Sequence, residues 1–391
     1  MKVLIIFPRV PYPHRDGGAI AMHQMIKGLF GQGLDLTLFF LNTSKHYIEH
    51  DIIRQQYGEY GDVHVEDIEN KITVLGACCN LFTNGSYHIT RFDDEQVHRV
   101  LSTLVKGGDF DVIHFEGLQT TPYLETIKKL NKGKCVLRQH NIEHLIWERN
   151  AENSSFLKGK YLKLLASRLK KYELDILSKA DAIVSISDVD TVFFKKHNKN
   201  VYTATTGVSV VDVVNIPVET RSVCYLGSMD WMPNQEGVKW FLSKVWEEVL
   251  SKDPEFKFYL AGRNFPKYFF ELEKKYKNVK VIGEVENAVD FLASKEILIV
   301  PLWAGSGVRI KILEGMSLGK YVVTTTIGAE GIPVVDKENI RIEDEVKLFA
   351  EAIVNKESYS DISNNAKAFI REKFDNNVIS QGLIRFYQNI E

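Results

Sequence analysis

Two successive series of short, continuously apolar runs constrain this chain more than any other feature. The first comprises KVLIIF (2–7), LDLTLFFL (34–41), DVIHFE (111–116), KCVLRQ (134–139) and DAIVSIS (181–187). The second comprises SVCYLG (222–227), FKFYLAG (256–262), VKVIGEV (279–285), EILIVPLW (296–303) and YVVTTT (321–326). Runs that are apolar on both faces and separated by helical patterns form parallel sheets covered by helices on both sides. A chain of 391 residues is long enough for two such cores. The expected fold class is therefore α/β, with two parallel-sheet domains in sequence. The join is expected in TATTGVSVVDVVNIP (203–217), where the helical period lapses. The expected domains are 1–206 and 207–372, followed by a terminal helix over 373–391. The Val378, Leu383, Phe386 and Ile390 of that helix give it an apolar stripe for packing back on the first domain.

Composition removes several classes of function. With 49 Lys and Arg against 51 Asp and Glu, the formal net charge of −2 gives no general attraction to nucleic acid, so polyanion binding must be local. Cys78, Cys79, Cys135 and Cys224 show no CxxC spacing, which suggests neither a zinc site nor a disulfide framework. The apolar run in MKVLIIFPRVPYP is too short for a signal h-region or a membrane span. A soluble, cytoplasmic protein is the expectation.

The chemistry is expected at the mouths of the strands, because open parallel sheets bind ligands beyond their carboxyl ends. There the segment PLWAGSGVRIKILEGMSLGKYVVTTTIGAEG (301–331) places Gly305 and Gly307 before a helix expected to begin near Val308. Such glycines let the backbone approach a phosphate, and the helix N-terminus adds partial positive charge. Arg309 and Lys311 add full charges, and Glu314, one turn on, can accept two hydrogen bonds from a vicinal diol. Phosphate first and diol second is the layout of a nucleoside diphosphate. A second reading stays open, in which these are solvated charges on a surface helix and Lys311 and Glu314 merely support each other.

Three segments carry a family resemblance: FPRVPYPHRDGGAIAMHQMIKGL (7–29), RQHNIEHLIWERN (138–150) and PLWAGSGVRIKILEGMSLGKYVVTT (301–325). Over nearly its whole length the chain resembles the retaining, metal-independent glycosyltransferases of the GT-B fold. The likeness is to family 4 of these enzymes, in the branch with a Gly-x-Gly-x-Arg-x-Lys-x-x-Glu signature. The resemblance implies two Rossmann-like domains facing across a cleft, with an acceptor domain (1–206), a nucleotide-sugar domain (207–372) and a C-terminal helix returning to the first. It implies transfer of a sugar from a UDP- or GDP-sugar to a hydroxyl of a glycan or lipid-linked acceptor in cell-surface polysaccharide synthesis, without cofactor or metal.

By the same resemblance His140 contacts the donor sugar, Arg309 and Lys311 clamp the departing diphosphate, and Glu314 holds the ribose. Gly17 and Gly18, heading the first helix, face the phosphates together with Gly305, Ser306 and Gly307. For the first pair, a glycine-requiring cap turn is the other reading. His114 and Glu116, ending the strand next to His140, are expected to line an acceptor pocket, and His144 is expected to be structural. The chain departs from the family in two places. Ser306 stands where the family has the first of two glutamates eight residues apart. The segment LGSMDWMPNQEG (226–237) lacks the Arg and Lys that often follow the corresponding strand. The rival readings are a nucleotide-sugar epimerase of the same shape and an inactive nucleotide-sugar-binding protein, the latter suggested by Ser306.

Two other patterns have competing readings. Asp188-Val189-Asp190 has a divalent-metal spacing but opens a helical pattern, where capping is the expected role. The basic stretch 156–177 could rest on an anionic inner leaflet as a peripheral contact. Tyr161, Leu165, Leu169 and Tyr172 recur at helical spacing and favour a sheet-covering helix instead.

Overall fold

The structure is a computed structural model that describes residues 1–14, 16–73, 80, 85–152, 154, 156–210, 216–305, 308–355 and 359–391. Its contacts divide the chain into two units, Met1–Gly207 with Ile379–Glu391, and Val208–Val378.

The first unit is built on a parallel sheet in the order β3-β2-β1-β4-β5-β6-β7. Its strands are β1 (Lys2–Phe7), β2 (Asp35–Thr43), β3 (Asp62–Ile68), β4 (Val112–Glu116), β5 (Lys134–Gln139), β6 (Ala182–Ser185) and β7 (Val201–Thr203). The second unit has the order β10-β9-β8-β11-β12-β13. Here the strands are β8 (Glu219–Leu226), β9 (Lys257–Ala261), β10 (Val279–Gly283), β11 (Lys295–Val300), β12 (Tyr321–Thr324) and β13 (Arg341–Ile342). Every pairing between these strands is parallel. Both units are Rossmann-like.

Alternate residues of the central strands feed opposite cores. Leu4 and Ile6 of β1 join Phe115, Leu137 and Ile183 on one face of the first sheet. Val3, Ile5 and Phe7 join Leu38, Val136 and Val184 on the other. In the second unit Val223, Tyr225, Ile297 and Ile299 pack on one face, and Cys224, Leu298, Val300 and Val322 on the other. Residues buried this fully contribute roughly 1.5–3 kcal/mol each, which is why the inner strands are continuously apolar.

The strands absent from the sequence reading are β3, β7 and β13, and each lies at a sheet edge. An edge strand is half covered and needs no apolar run; β7 and β13 have no fully buried residue. On the terminal helix Asn376–Gln388, Leu383 and Tyr387 are buried in the first unit and Phe386 stacks on Tyr202 with ring centres 5.2 Å apart. Val378, expected in the same stripe, is instead 45% exposed.

Candidate functional site

In the second sheet the chain runs from β8 to β9 and β10 on one side, then returns to β11, β12 and β13 on the other. The crevice beyond β8 and β11 is thus a topological switch point, the place where such sheets bind ligands. Two loops meet there: Gly227–Trp231 after β8, and the segment from Pro301 after β11.

The helix after β11 is Ile310–Ser317, two residues later than the sequence suggests. Arg309 occupies the N-cap in an extended conformation (φ −85°, ψ 90°), without side-chain capping, so it precedes the first turn. Nor are the charges solvated. Arg309 is only 6% exposed, and Lys311 and Glu314 are half-buried. The guanidinium carbon of Arg309 lies 6.0 Å from the Trp231 ring. The Lys311 ammonium donates to the Tyr225 hydroxyl at 3.0 Å and to Asn234 Oδ1 at 3.3 Å, 4.4 Å from the centre of the Tyr225 ring.

Burial dominates the electrostatics. Desolvation, assisted by Arg309, lowers the Lys311 ammonium to about 7, with Glu314 opposing. Desolvation raises Glu314 to about 7 against the pull of Lys311. Groups held this far from their ordinary ionisation are characteristic of sites poised for a charged ligand. The surface-decoration reading of Arg309, Lys311 and Glu314 does not fit this burial.

The glycines at this mouth have local reasons. Gly305 has φ +116°, and a Cβ there would stand 2.8 Å from the Trp231 ring. A Cβ on Gly227 would stand 2.6 Å from Lys311 Nζ. Ser306 and Gly307 lie outside the described residues. The segment that lacks the family's Arg and Lys therefore supplies Gly227, Trp231 and Asn234 around Arg309 and Lys311. No sequence signal had marked Tyr225 or Asn234, since one is hidden in an apolar strand and the other in a helix.

In the first unit Gly17 and Gly18 open the helix Gly17–Gly31, whose N-cap is Asp16. Asp16 Oδ1 accepts from the Ala19 amide at 3.0 Å and pairs with Arg9 at 2.5 Å. A Cβ on Gly18 would press on both members of that pair, at 3.3 and 3.4 Å, so the cap-turn reading of this glycine has a concrete basis.

His140 follows β5 and hydrogen-bonds through Nε2 to Glu116 Oε1. Glu116 is not a pocket-lining residue as expected; it is 1% exposed, and His114 is fully buried. The carboxylate is the hub of a polar cluster, taking Arg138 at 2.9 Å on Oε1 and His114 Nε2 at 3.0 Å on Oε2. Although burial alone would raise Glu116, Arg138 and His140 hold it well below the usual carboxylate range. Burial pushes the His114 imidazole below its ordinary value against the pull of Glu116, and its Nδ1 lies 2.6 Å from the Tyr387 hydroxyl. His144 is structural: its Nδ1 lies 2.7 Å from Glu173, which also takes the Glu143 and His144 amides at 3.0 Å.

Ser187, rather than Asp188, caps the helix Asp188–Phe194, accepting from the Val189 amide at 3.2 Å; Asp188 and Asp190 fall in the first turn, where acidic residues suit the helix dipole. The helix Phe156–Lys179 buries Leu165, Leu169, Ile176 and Leu177 and leaves Lys163, Lys170 and Lys171 exposed. Among the described residues no helix is long and apolar enough to cross a membrane.

Residues 220–356 match the family described as glycosyl transferases group 1. The chain carries a glycosyltransferase domain. That match, to transferases, does not favour the epimerase or the inactive-protein reading. Along 98% of its length the chain is 23% identical to an uncharacterized 44.6 kDa protein in the cps region of Klebsiella pneumoniae, covering 99% of that relative. Its fold is similar to that of the Anabaena protein HepE in complex with UDP, at 14% identity with a TM-score of 0.63, covering 99% of this chain and 100% of the other. The sucrose-phosphate synthase of Thermosynechococcus elongatus is similar at 14% identity and a TM-score of 0.66, over 99% and 98% of the two chains. The architecture is thus that of GT-B glycosyltransferases.

Proposed function

We propose that the enzyme moves a sugar, with retained anomeric configuration and without a metal ion, from a UDP- or GDP-sugar to a hydroxyl of a glycan or lipid-linked acceptor. The observation that carries this reading is the pair of buried Arg309 and half-buried Lys311, at the switch point of the matched domain and at the start of a helix. Positive charge withdrawn from water and aimed from a fixed frame is what a departing diphosphate requires.

In the reaction the bond from the anomeric carbon to the β-phosphate oxygen breaks and the acceptor oxygen bonds to the same carbon on the same face. The acceptor proton passes to the leaving phosphate. Arg309 and Lys311 stabilise the charge that develops there, Glu314 holds the ribose hydroxyls, and Gly305 gives the phosphates close approach to the backbone. His140, hydrogen-bonded to Glu116, is the first unit's candidate for contact with the sugar. The solved relative bound to UDP and the relative from a cps region support a nucleotide-sugar donor and a polysaccharide setting. A panel of radiolabelled UDP- and GDP-sugars, read by nucleotide release with and without acceptor glycans, tests the reading. Turnover of one base is expected; no release and no binding across the panel would refute it.

A further inference from the structure

The first unit contains a cavity of about 620 Å³ built at the carboxyl ends of β1 to β4. Four cations reach it from four separate segments: Arg9 after β1, Lys45 after β2, Lys71 after β3, and Arg91 from the turn that ends the short helix Tyr87–Thr90. No carboxylate is among its described lining residues, in a chain whose formal net charge is −2. Two of the cations are fixed in place. Arg9 is held by Asp16 at 2.5 Å, and Arg91 donates to the Asn70 carbonyl at 3.1 Å.

Burial, then Arg9 and Lys45, disfavour a proton on the lining residue His46, with Asp16 opposing. Thr43, 2% exposed, also lines the cavity, and among the described residues its hydroxyl has no hydrogen-bond partner. Pro8, Ile72 and Phe92 provide apolar wall beside the charges.

We infer that this cavity binds a phosphate group carried by the sugar acceptor. The inference rests on the proposed transferase reading, which assigns the donor diphosphate to Arg309 and Lys311 in the other unit and leaves this second cationic site without a ligand. Arg9 and Lys71 are already paired with Asp16 and Glu69, so Lys45 and Arg91 are the cations left to meet a ligand, and two converging charges suit a phosphate ester, whose charge approaches two. The adjoining apolar wall accommodates a sugar ring face or the first carbons of a lipid.

The test is calorimetric titration of the full chain with glucose 1-phosphate, glucose, glucuronate and a short-chain polyprenyl phosphate, in the presence of saturating UDP. A phosphate-bearing probe is expected to bind at least about tenfold more tightly than glucose or glucuronate, since each charge-assisted contact is worth about tenfold in affinity. The two phosphate probes distinguish a soluble sugar phosphate from a lipid-linked one, and either supports the site. The charge reversals Lys45→Glu and Lys71→Glu, both at exposed positions, should weaken the phosphate probe about tenfold while leaving UDP binding unchanged. Equal binding of glucose and the phosphate probes, displacement by UDP, or insensitivity to both reversals would overturn the inference. Because UDP binding is measured in a separate titration of the same preparations, failure of this site is distinguishable from failure of the donor site.

Discussion

The Lys311 ammonium rests 3.0 Å from the Tyr225 hydroxyl, tying the helix after β11 to the neighbouring central strand β8. One strand thus aims the charge carried by the next. Tyr225 is fully buried, so Tyr225→Phe removes the hydroxyl without opening a cavity. The expected result is a roughly fivefold loss of kcat/KM, from a hydrogen bond worth about 1 kcal/mol, with a melting temperature within a few degrees of wild type. Steady-state kinetics and calorimetry on the same preparation check it.

Ligand affinity should depend on pH through Lys311. Its burial-lowered value of about 7 means the free protein loses the charge as pH rises above neutrality. A diphosphate requires the charged form, so UDP affinity should fall between pH 6 and 9. Lys311→Arg, which stays charged, should flatten that profile. For stability the sign is opposite: with its folded value below the ordinary 10.5, the burial cost of the charged group is fully present below pH 7 and fades as pH rises through the window to 10.5. Titrating UDP by calorimetry across this range decides the point; an equally flat profile in wild type would contradict it.

Glu116 should matter for stability as well as for His140. Removing its charge leaves Arg138, 2.9 Å away, as an uncompensated buried cation, and breaking such a pair costs about 3–5 kcal/mol. Glu116→Gln should therefore lower the melting temperature markedly at pH 7. Because the folded value is depressed below the ordinary 4.5, the stabilisation is fully present above 4.5 and lost as pH falls through the folded value. The difference between variant and wild type should shrink in acid, as thermal melts from pH 7 to 3 would register.

Much of this fold was legible because its central strands are buried on both faces, and KVLIIF or EILIVPLW leave little alternative to a parallel sheet. The edge strands β3, β7 and β13 escaped because exposure frees them from that pattern, whereas the edge strand β10 kept enough apolar residues to be read. Arg309, Lys311 and Glu314 could be found from their spacing beside glycines, but their burial could not. Burial depends on Trp231, Asn234 and Tyr225, which come from a distant segment and meet the charges only after β8 and β11 pair. The same holds for Glu116: IHFEG showed a carboxylate at a strand end, whereas Arg138, His114 and Tyr387 converge on it only through sheet order and the return of the terminal helix.

Turnover should survive EDTA, because charge neutralisation is assigned to Arg309, Lys311 and a helix N-terminus. Asp188→Asn should likewise be silent, since Ser187 caps its helix. Complete loss in EDTA, restored by Mn²⁺, would return the Asp188-Val189-Asp190 motif to the reaction.

The most direct measurement of the central claim is a kcat and KM comparison of Arg309→Ala, Lys311→Met and Glu314→Gln with the donor found by the panel. A contact that strengthens as the diphosphate departs acts on the barrier, whereas a ribose contact is unchanged during reaction. Charge-assisted hydrogen bonds of about 1.5–3 kcal/mol predict a kcat loss of roughly 10- to 100-fold for the first two variants. Glu314→Gln should act mainly on donor KM. Because Arg309 is buried, melting temperatures must accompany the kinetics, and Lys311→Met keeps the volume of the replaced chain. Folded Arg309→Ala and Lys311→Met proteins with wild-type kcat and KM would contradict the diphosphate clamp.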